Sequence, residues 1–236
     1  MFPYGRLNAP VPHILLSDMP QEKVLDVSEI FVSLQGEGTL AGIPTFFVRL
    51  SGCNLRCNWC DTSYAQKPSK NFISIEEIVR HWEKAGKIPY VQITGGEPLL
   101  QENVYYLMDF FLKEGVTLLL ETNGSISLRK VPKEVIKILD LKTPSSGMTP
   151  YMRYENLAYL GTKDQVKFVI ADRVDYEWAK KRMSLYYLPV YTQVLFSPAW
   201  GLMNPQELAN WIIEERLPVR FQLQLHKILW GEKRGV

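Results

Sequence analysis

A chain of 236 residues with 46% hydrophobic and 22% charged side chains can bury a sizeable core and has the composition of a globular protein. Its formal net charge of +2 gives no case for nucleic acid or an acidic membrane as a partner, and no stretch approaches the roughly 20 apolar residues needed to cross a bilayer. The N-terminal segment has Arg6 but is interrupted by Pro10, Pro12 and His13, so it does not read as a signal peptide, and a cytoplasmic location follows by default.

Residues 1–26 form an irregular lead-in to what reads as a single domain. Ser33–Gly38 (SLQGEG) is rich in turn residues and reads as a loop. Thr45–Leu50 (TFFVRL) predicts a strand that runs into the cysteine segment. Ser74 and Glu77 have the spacing of a capping box, and Ile75, Ile78, Val79 and Trp82 then recur at helical intervals up to Gly86. Tyr90–Thr94 predicts a strand ending at Gly95–Gly96. Residues 100–114 predict a helix with Val104, Leu107, Met108 and Phe111 on one face.

Val116–Thr122 reads as a buried strand, Pro132–Leu139 as a short helix, and Asp140–Lys142 as a strand end. Gln165–Ile170, Thr192–Phe196 and Arg220–Leu225 predict strands, with a helix over Val174–Leu185. Asn204 caps a final helix that has Pro205 at its first position and Glu207 three residues after the cap. Alternating strands and helices imply an α/β fold with parallel strands, and about six units suit a partial (open) β/α barrel rather than the full eight-fold one. Chemistry in such folds gathers at the carboxyl ends of the strands.

All three cysteines, Cys53, Cys57 and Cys60, fall within eight consecutive positions, a spacing that cannot staple distant parts of a fold. Clustered thiolates in a reducing compartment read as metal ligands, and thiolates are the usual ligands of iron–sulfur clusters. Three thiolates on a four-iron cubane leave one iron open to chelate a small molecule. A zinc site with three cysteines and a histidine is the competing reading. No histidine lies in or beside the loop, although a distant His226 could supply the fourth ligand.

The spacing C-x3-C-x2-C, with Trp59 before the last cysteine, resembles the radical S-adenosylmethionine superfamily. Thr94-Gly-Gly-Glu-Pro98 resembles its segment that meets the methionine amino group. Within the superfamily, Ser33-Leu-Gln-Gly-Glu-Gly38, Arg49, Cys60-Asp-Thr62, Glu121-Thr-Asn-Gly124, Lys142-Thr-Pro-Ser-Ser146 and His226-Lys-Ile-Leu-Trp230-Gly are similar to the 7-carboxy-7-deazaguanine synthase family. The likeness runs from about Glu29 to the end and is weak over Met148–Thr162.

That resemblance implies a partial barrel of the radical S-adenosylmethionine type and a lyase that contracts the ring of 6-carboxy-5,6,7,8-tetrahydropterin with loss of ammonia, on the route to queuosine. It implies a 4Fe-4S cluster on Cys53, Cys57 and Cys60, S-adenosylmethionine as cofactor, and Mg2+ held with the help of Thr62. Leu34, Gln35, Gly36, Arg49 and Thr94 would meet the substrate, with Glu37 close by as the one candidate for an acid or base. Trp59, Cys60, Asp61, Gly96, Glu97, Asp140, Leu141, Lys142, Ser197 and Pro198 would line the S-adenosylmethionine site. The family further implies a homodimer and a flavodoxin-like electron donor. His226 is left outside the site, since a histidine after an apolar strand is more often packed than functional. A glycyl-radical-enzyme activase and a non-catalytic iron–sulfur or zinc module are the alternative functions.

Overall fold

The computed structural model describes residues 23–236. Most of the predicted lead-in therefore lies outside the described residues, but its last part does not stay irregular. The first strand, β1 (Val24–Leu34), takes up Val24–Asp26 and runs through Ser33 and Leu34, so the predicted loop begins only at Gln35. β1 pairs antiparallel with β2 (Pro44–Leu50) and with the short β3 (Phe72–Ser74).

From β2 onward the chain alternates. α1 (Ile75–Lys84) leads to β4 (Tyr90–Gly95), α2 (Val104–Lys113) to β5 (Thr117–Thr122), and a loop to β6 (Ile136–Asp140). β7 (Gln165–Ile170) is followed by α3 (Arg173–Leu185) and the single turn α4 (Leu188–Tyr191), then β8 (Gln193–Pro198), α5 (Pro205–Glu214), β9 (Arg220–Phe221) and α6 (Leu225–Trp230). One nine-stranded sheet results, in the order β3-β1-β2-β4-β5-β6-β7-β8-β9, and every pairing from β2 to β9 is parallel. This is the α/β open barrel that the alternating pattern implied.

The local signals act where expected. Ser74 Oγ accepts from the Glu77 amide at 3.1 Å, and Asn204 Oδ1 accepts from Gln206 at 2.9 Å. Val104, Leu107, Met108 and Phe111 are fully buried against the sheet. Four predictions need correction. Residues 100–114 do not form one helix, because Pro98–Leu100 make a separate tight turn and α2 starts at Val104. Pro132–Leu139 is not a helix: from Ile136 the segment is the interior strand β6, buried on both faces, where β5 and β7 supply hydrogen-bonding partners on either side. A run this short cannot show which period it follows. Arg220–Leu225 keeps only two residues as strand, and α5 is not the last helix, since α6 follows. Among the described residues no helix is long and apolar enough to cross a membrane.

Candidate active site

Inside the barrel, β7 turns Lys167 and Val169 toward a cavity of about 410 Å³, while Val166, Phe168 and Ile170 pack outward into the core. Register brings other polar residues to the same level. Arg49 pairs with Thr94 across β2 and β4, and Asp140 with Lys167 across β6 and β7. The cavity opens at the carboxyl ends of the strands.

The cysteine loop starts at Gly52, whose φ of +86° turns the chain away from β2. It is pinned by the Gly52 amide on Ala65 O at 2.9 Å and the Cys53 amide on Gln66 O at 3.0 Å, and Leu55 anchors it in the core. The Arg56 guanidinium donates to the carbonyls of Cys53 and Leu55 at 2.6 and 2.7 Å. All three thiols are free and line the cavity. Burial raises the pKa of Cys53 and pushes Cys57 up to about 11, although Lys142 draws the latter down. Without a metal these two thiols hold their protons, so metal binding must release them.

Next to the cysteines, Gly96 closes against the loop: its amide donates to Leu50 O at 3.0 Å and that of Glu97 to Gly52 O at 2.8 Å. Trp59, Asp61, Thr62, Asp140 and Lys142 also line the cavity. Lys142 Nζ lies 2.9 Å from Asp140 Oδ2 and 5.2 Å from the centre of the Trp59 ring. Two buried polar atoms here, Trp59 Nε1 and Asp140 Oδ1, have no hydrogen-bond partner among the described residues. One donor and one acceptor so placed fit a polar ligand beside the thiols.

Four residues assigned to this side by sequence do not form its wall. Leu141, Ser197 and Pro198 are buried at strand ends, and Ala199 and Trp200 line the cavity instead. Glu97 is 0% exposed and turned inward, accepting from Leu99 N, Asn123 N and Thr122 Oγ1 at 3.1, 2.7 and 2.8 Å. It braces the turn from behind, and through Asn123, whose Nδ2 lies 3.6 Å from Cys53 Sγ, it reaches the cysteine loop.

Leu34, Gln35, Gly36, Glu37, Arg49 and Thr94 all line the same cavity. Arg49 Nε is held by Glu29 at 3.2 Å, and Gln35 is hydrogen-bonded to Gln92. Glu37 accepts from Lys167 at 2.8 Å, Gln222 at 3.1 Å and Gln224 at 2.9 Å. Sequence reasoning missed Lys167, Gln92, Gln222 and Gln224, and gave Glu121 no role. A lone lysine inside the apolar strand QVKFVI was the available signal. His226 is not outside the site: it lines the cavity, packs against Gly36, and brings a ring nitrogen within 4.8 Å of carboxylate oxygens of Glu37 and Asp61.

Residues 47–143 match the Radical SAM superfamily. A 7-carboxy-7-deazaguanine synthase from Koribacter versatilis is 43% identical over 90% of this chain and 100% of its own length. One from Chlorobaculum tepidum is 40% identical over 92% and 100%. The crystal structure of QueE from Escherichia coli superposes with a TM-score of 0.70 at 22% identity, covering 85% of this chain and 94% of that one, which is a likeness of fold. These matches favour the lyase reading over an activase or a non-catalytic module. The superfamily's 4Fe-4S cluster and S-adenosylmethionine fit the three free thiols and the two unpartnered polar atoms beside them. The chain thus belongs to the 7-carboxy-7-deazaguanine synthase family of radical S-adenosylmethionine lyases.

Proposed function

We propose that this chain contracts the ring of 6-carboxy-5,6,7,8-tetrahydropterin to give 7-carboxy-7-deazaguanine and ammonia, supplying the queuosine route from the reducing cytoplasm. The observation that carries the reading is one cavity lined both by free thiols and by an arginine among carboxylates and carboxamides. When bound, the cluster and S-adenosylmethionine supply the carbon radical that abstracts hydrogen from the substrate.

The chain's own residues orient the reactants and exclude water. Arg49 offers a guanidinium fork to the substrate carboxylate. Leu34, Gln35, Gly36 and Thr94 meet the heterocycle, with Glu37 beside them. Trp59, Asp61, Gly96, Asp140 and Lys142 surround S-adenosylmethionine. Glu97, Leu141, Ser197 and Pro198 support that wall from behind. Thr62, whose hydroxyl lies 3.1 Å from Asp61 Oδ1, and the Asp61 carboxylate suit Mg2+, a hard cation that prefers oxygen ligands. A homodimer and a flavodoxin-like donor complete the reading on the family resemblance.

The test is anaerobic reconstitution followed by reduction with the pterin and S-adenosylmethionine. Formation of the deazaguanine acid supports the proposal, and cluster-loaded protein that makes none rules it out. Chelator-treated enzyme should recover rate on addition of Mg2+, and indifference to Mg2+ removes the metal from the scheme.

A further inference from the structure

Lys167 has no part in the chemistry above, yet it is the most heavily bonded charge in the cavity. Its ammonium lies 2.8 Å from Glu37 Oε2, 2.6 Å from Glu121 Oε1 and 3.4 Å from Asp140 Oδ2, and its side chain is only 6% exposed. Desolvation opposes the charge of a buried lysine, but the three carboxylates outweigh it and hold the ammonium well above its ordinary pKa. Lys142 is the second cation on Asp140. Glu37 and Glu121 therefore depend on Lys167 more than Asp140 does.

The remaining partners of the two glutamates are neutral. Gln222 and Gln224 donate to Glu37, while Gln92 and Thr94 donate to Glu121 at 3.2 Å each. With Lys167 included, each carboxylate accepts three hydrogen bonds out of roughly four acceptor positions. Each keeps about one position to offer a ligand, in a cavity that both residues line. Two anions brought together from the loop after β1 and from β5 repel each other unless a cation stands between them. Lys167 occupies that place.

We propose that Lys167 is a positioning residue that holds Glu37 and Glu121 in place and aimed into the cavity, so that together they grip the N–H edge of an amino-substituted heterocycle while Arg49 takes its carboxylate. This rests on the functional reading above and adds a residue to it. Lys167 does not touch the reacting atoms, so its loss weakens substrate binding and alignment rather than the cleavage of S-adenosylmethionine.

The experiment compares reconstituted wild type, Lys167→Met and Lys167→Arg, matched for iron content, by steady-state kinetics with the pterin and by the ratio of free 5′-deoxyadenosine to product. Lys167→Met should raise KM at least tenfold with kcat within about threefold, and raise the uncoupled 5′-deoxyadenosine ratio. Lys167→Arg, which keeps the charge, should recover at least half of the KM loss on a logarithmic scale. A Lys167→Met enzyme with KM within twofold of wild type overturns the proposal, as does a fall in kcat at constant KM, or an equal KM defect in both variants. If Lys167→Met does not retain its cluster, Lys167→Arg decides: KM within threefold of wild type supports the proposal and a larger rise overturns it. Wild-type enzyme that makes no product sinks the functional reading and this inference with it. Wild-type turnover with an indifferent Lys167 sinks the inference alone.

Discussion

Arg49 is tethered on one side only. Its Nε donates to Glu29 Oε2, an oxygen that also accepts from Tyr64 at 3.0 Å, and the terminal nitrogens have no ion-pair partner among the described residues. That geometry holds the guanidinium plane in place for a bidentate grip on a carboxylate. A lysine would offer a point charge without the fork. Arg49→Lys should therefore lower kcat/KM for the pterin by on the order of tenfold or more while iron content stays at the wild-type level. Unchanged kcat/KM would mean that the substrate carboxylate binds elsewhere.

Glu97 makes the contrasting case. The motif Thr94-Gly-Gly-Glu-Pro98 marks the turn, but a motif does not say which way a carboxylate points, and this one points into the protein. Burial pushes its pKa from 4.5 up to about 7, against the opposing effects of the Asn123 and Leu99 amides and the Thr122 hydroxyl. Between those values the native protein keeps a proton that the unfolded chain has released. The contribution of Glu97 to stability is therefore complete below about pH 4.5, falls as the pH rises, and levels off above about 7. The thermal midpoint of metal-free wild type, measured relative to that of Glu97→Gln from pH 5 to 8, should fall as the pH rises. Parallel curves would show that Glu97 ionises normally in the folded state.

The turn between β4 and α2 and the start of the cysteine loop form one unit built on close backbone approach. A Cβ on Gly96 would overlap the Gly52 carbonyl oxygen and lie 2.7 Å from the Ala65 carbonyl. Both are backbone atoms that cannot swing aside. Gly96→Ala should push the cysteine loop off β4, so that reconstituted protein keeps less than half of the wild-type iron and the 400 nm absorbance falls in proportion. Full cluster occupancy in that variant would refute the close-approach argument. Helix caps act more locally: the Ser74 hydroxyl satisfies one amide of α1, well away from the cavity. These turns and caps were legible in the sequence because each depends on one residue type at one position. The strand β6 was not, because a five-residue run between two other strands is defined by its neighbours rather than by its own period.

Across the whole molecule, the loop after β1 is tied to the far end of the sheet and so narrows the gap an open barrel leaves. The Gly38 amide donates to Gln222 Oε1 at 2.7 Å, Thr39 exchanges hydrogen bonds with Gln165, and the Leu225 amide donates to Gly36 O at 2.9 Å. At the other end of the strands, where no chemistry is expected, Lys137 and Asp164 form a buried pair at 3.3 Å, and Asp164 also accepts the amides of Lys137 and Gly161 at 2.8 Å each. Removing one member leaves the other charge buried without its partner. Lys137→Met should cost about 3 kcal/mol in urea unfolding and leave KM for the pterin unchanged. A cost below about 1 kcal/mol would mean the backbone amides alone satisfy Asp164.

Chemistry carried by residues close together in the chain could be read directly: the three thiols, the Gly-Gly turn, the SLQGEG loop with Arg49, and the alternation that makes a parallel α/β barrel. Short spacing limits geometry on its own, so Cys53, Cys57 and Cys60 must face one small volume in any fold. Contacts between residues far apart in the chain could not be read this way. Lys167 reaches Glu37 across 130 positions and Glu121 across 46. Likewise His226 comes to Gly36, and Glu97 turns its back on the cavity that its motif borders. Strand register and barrel curvature set those meetings, and a buried charge takes its role from whichever partners the fold delivers to it.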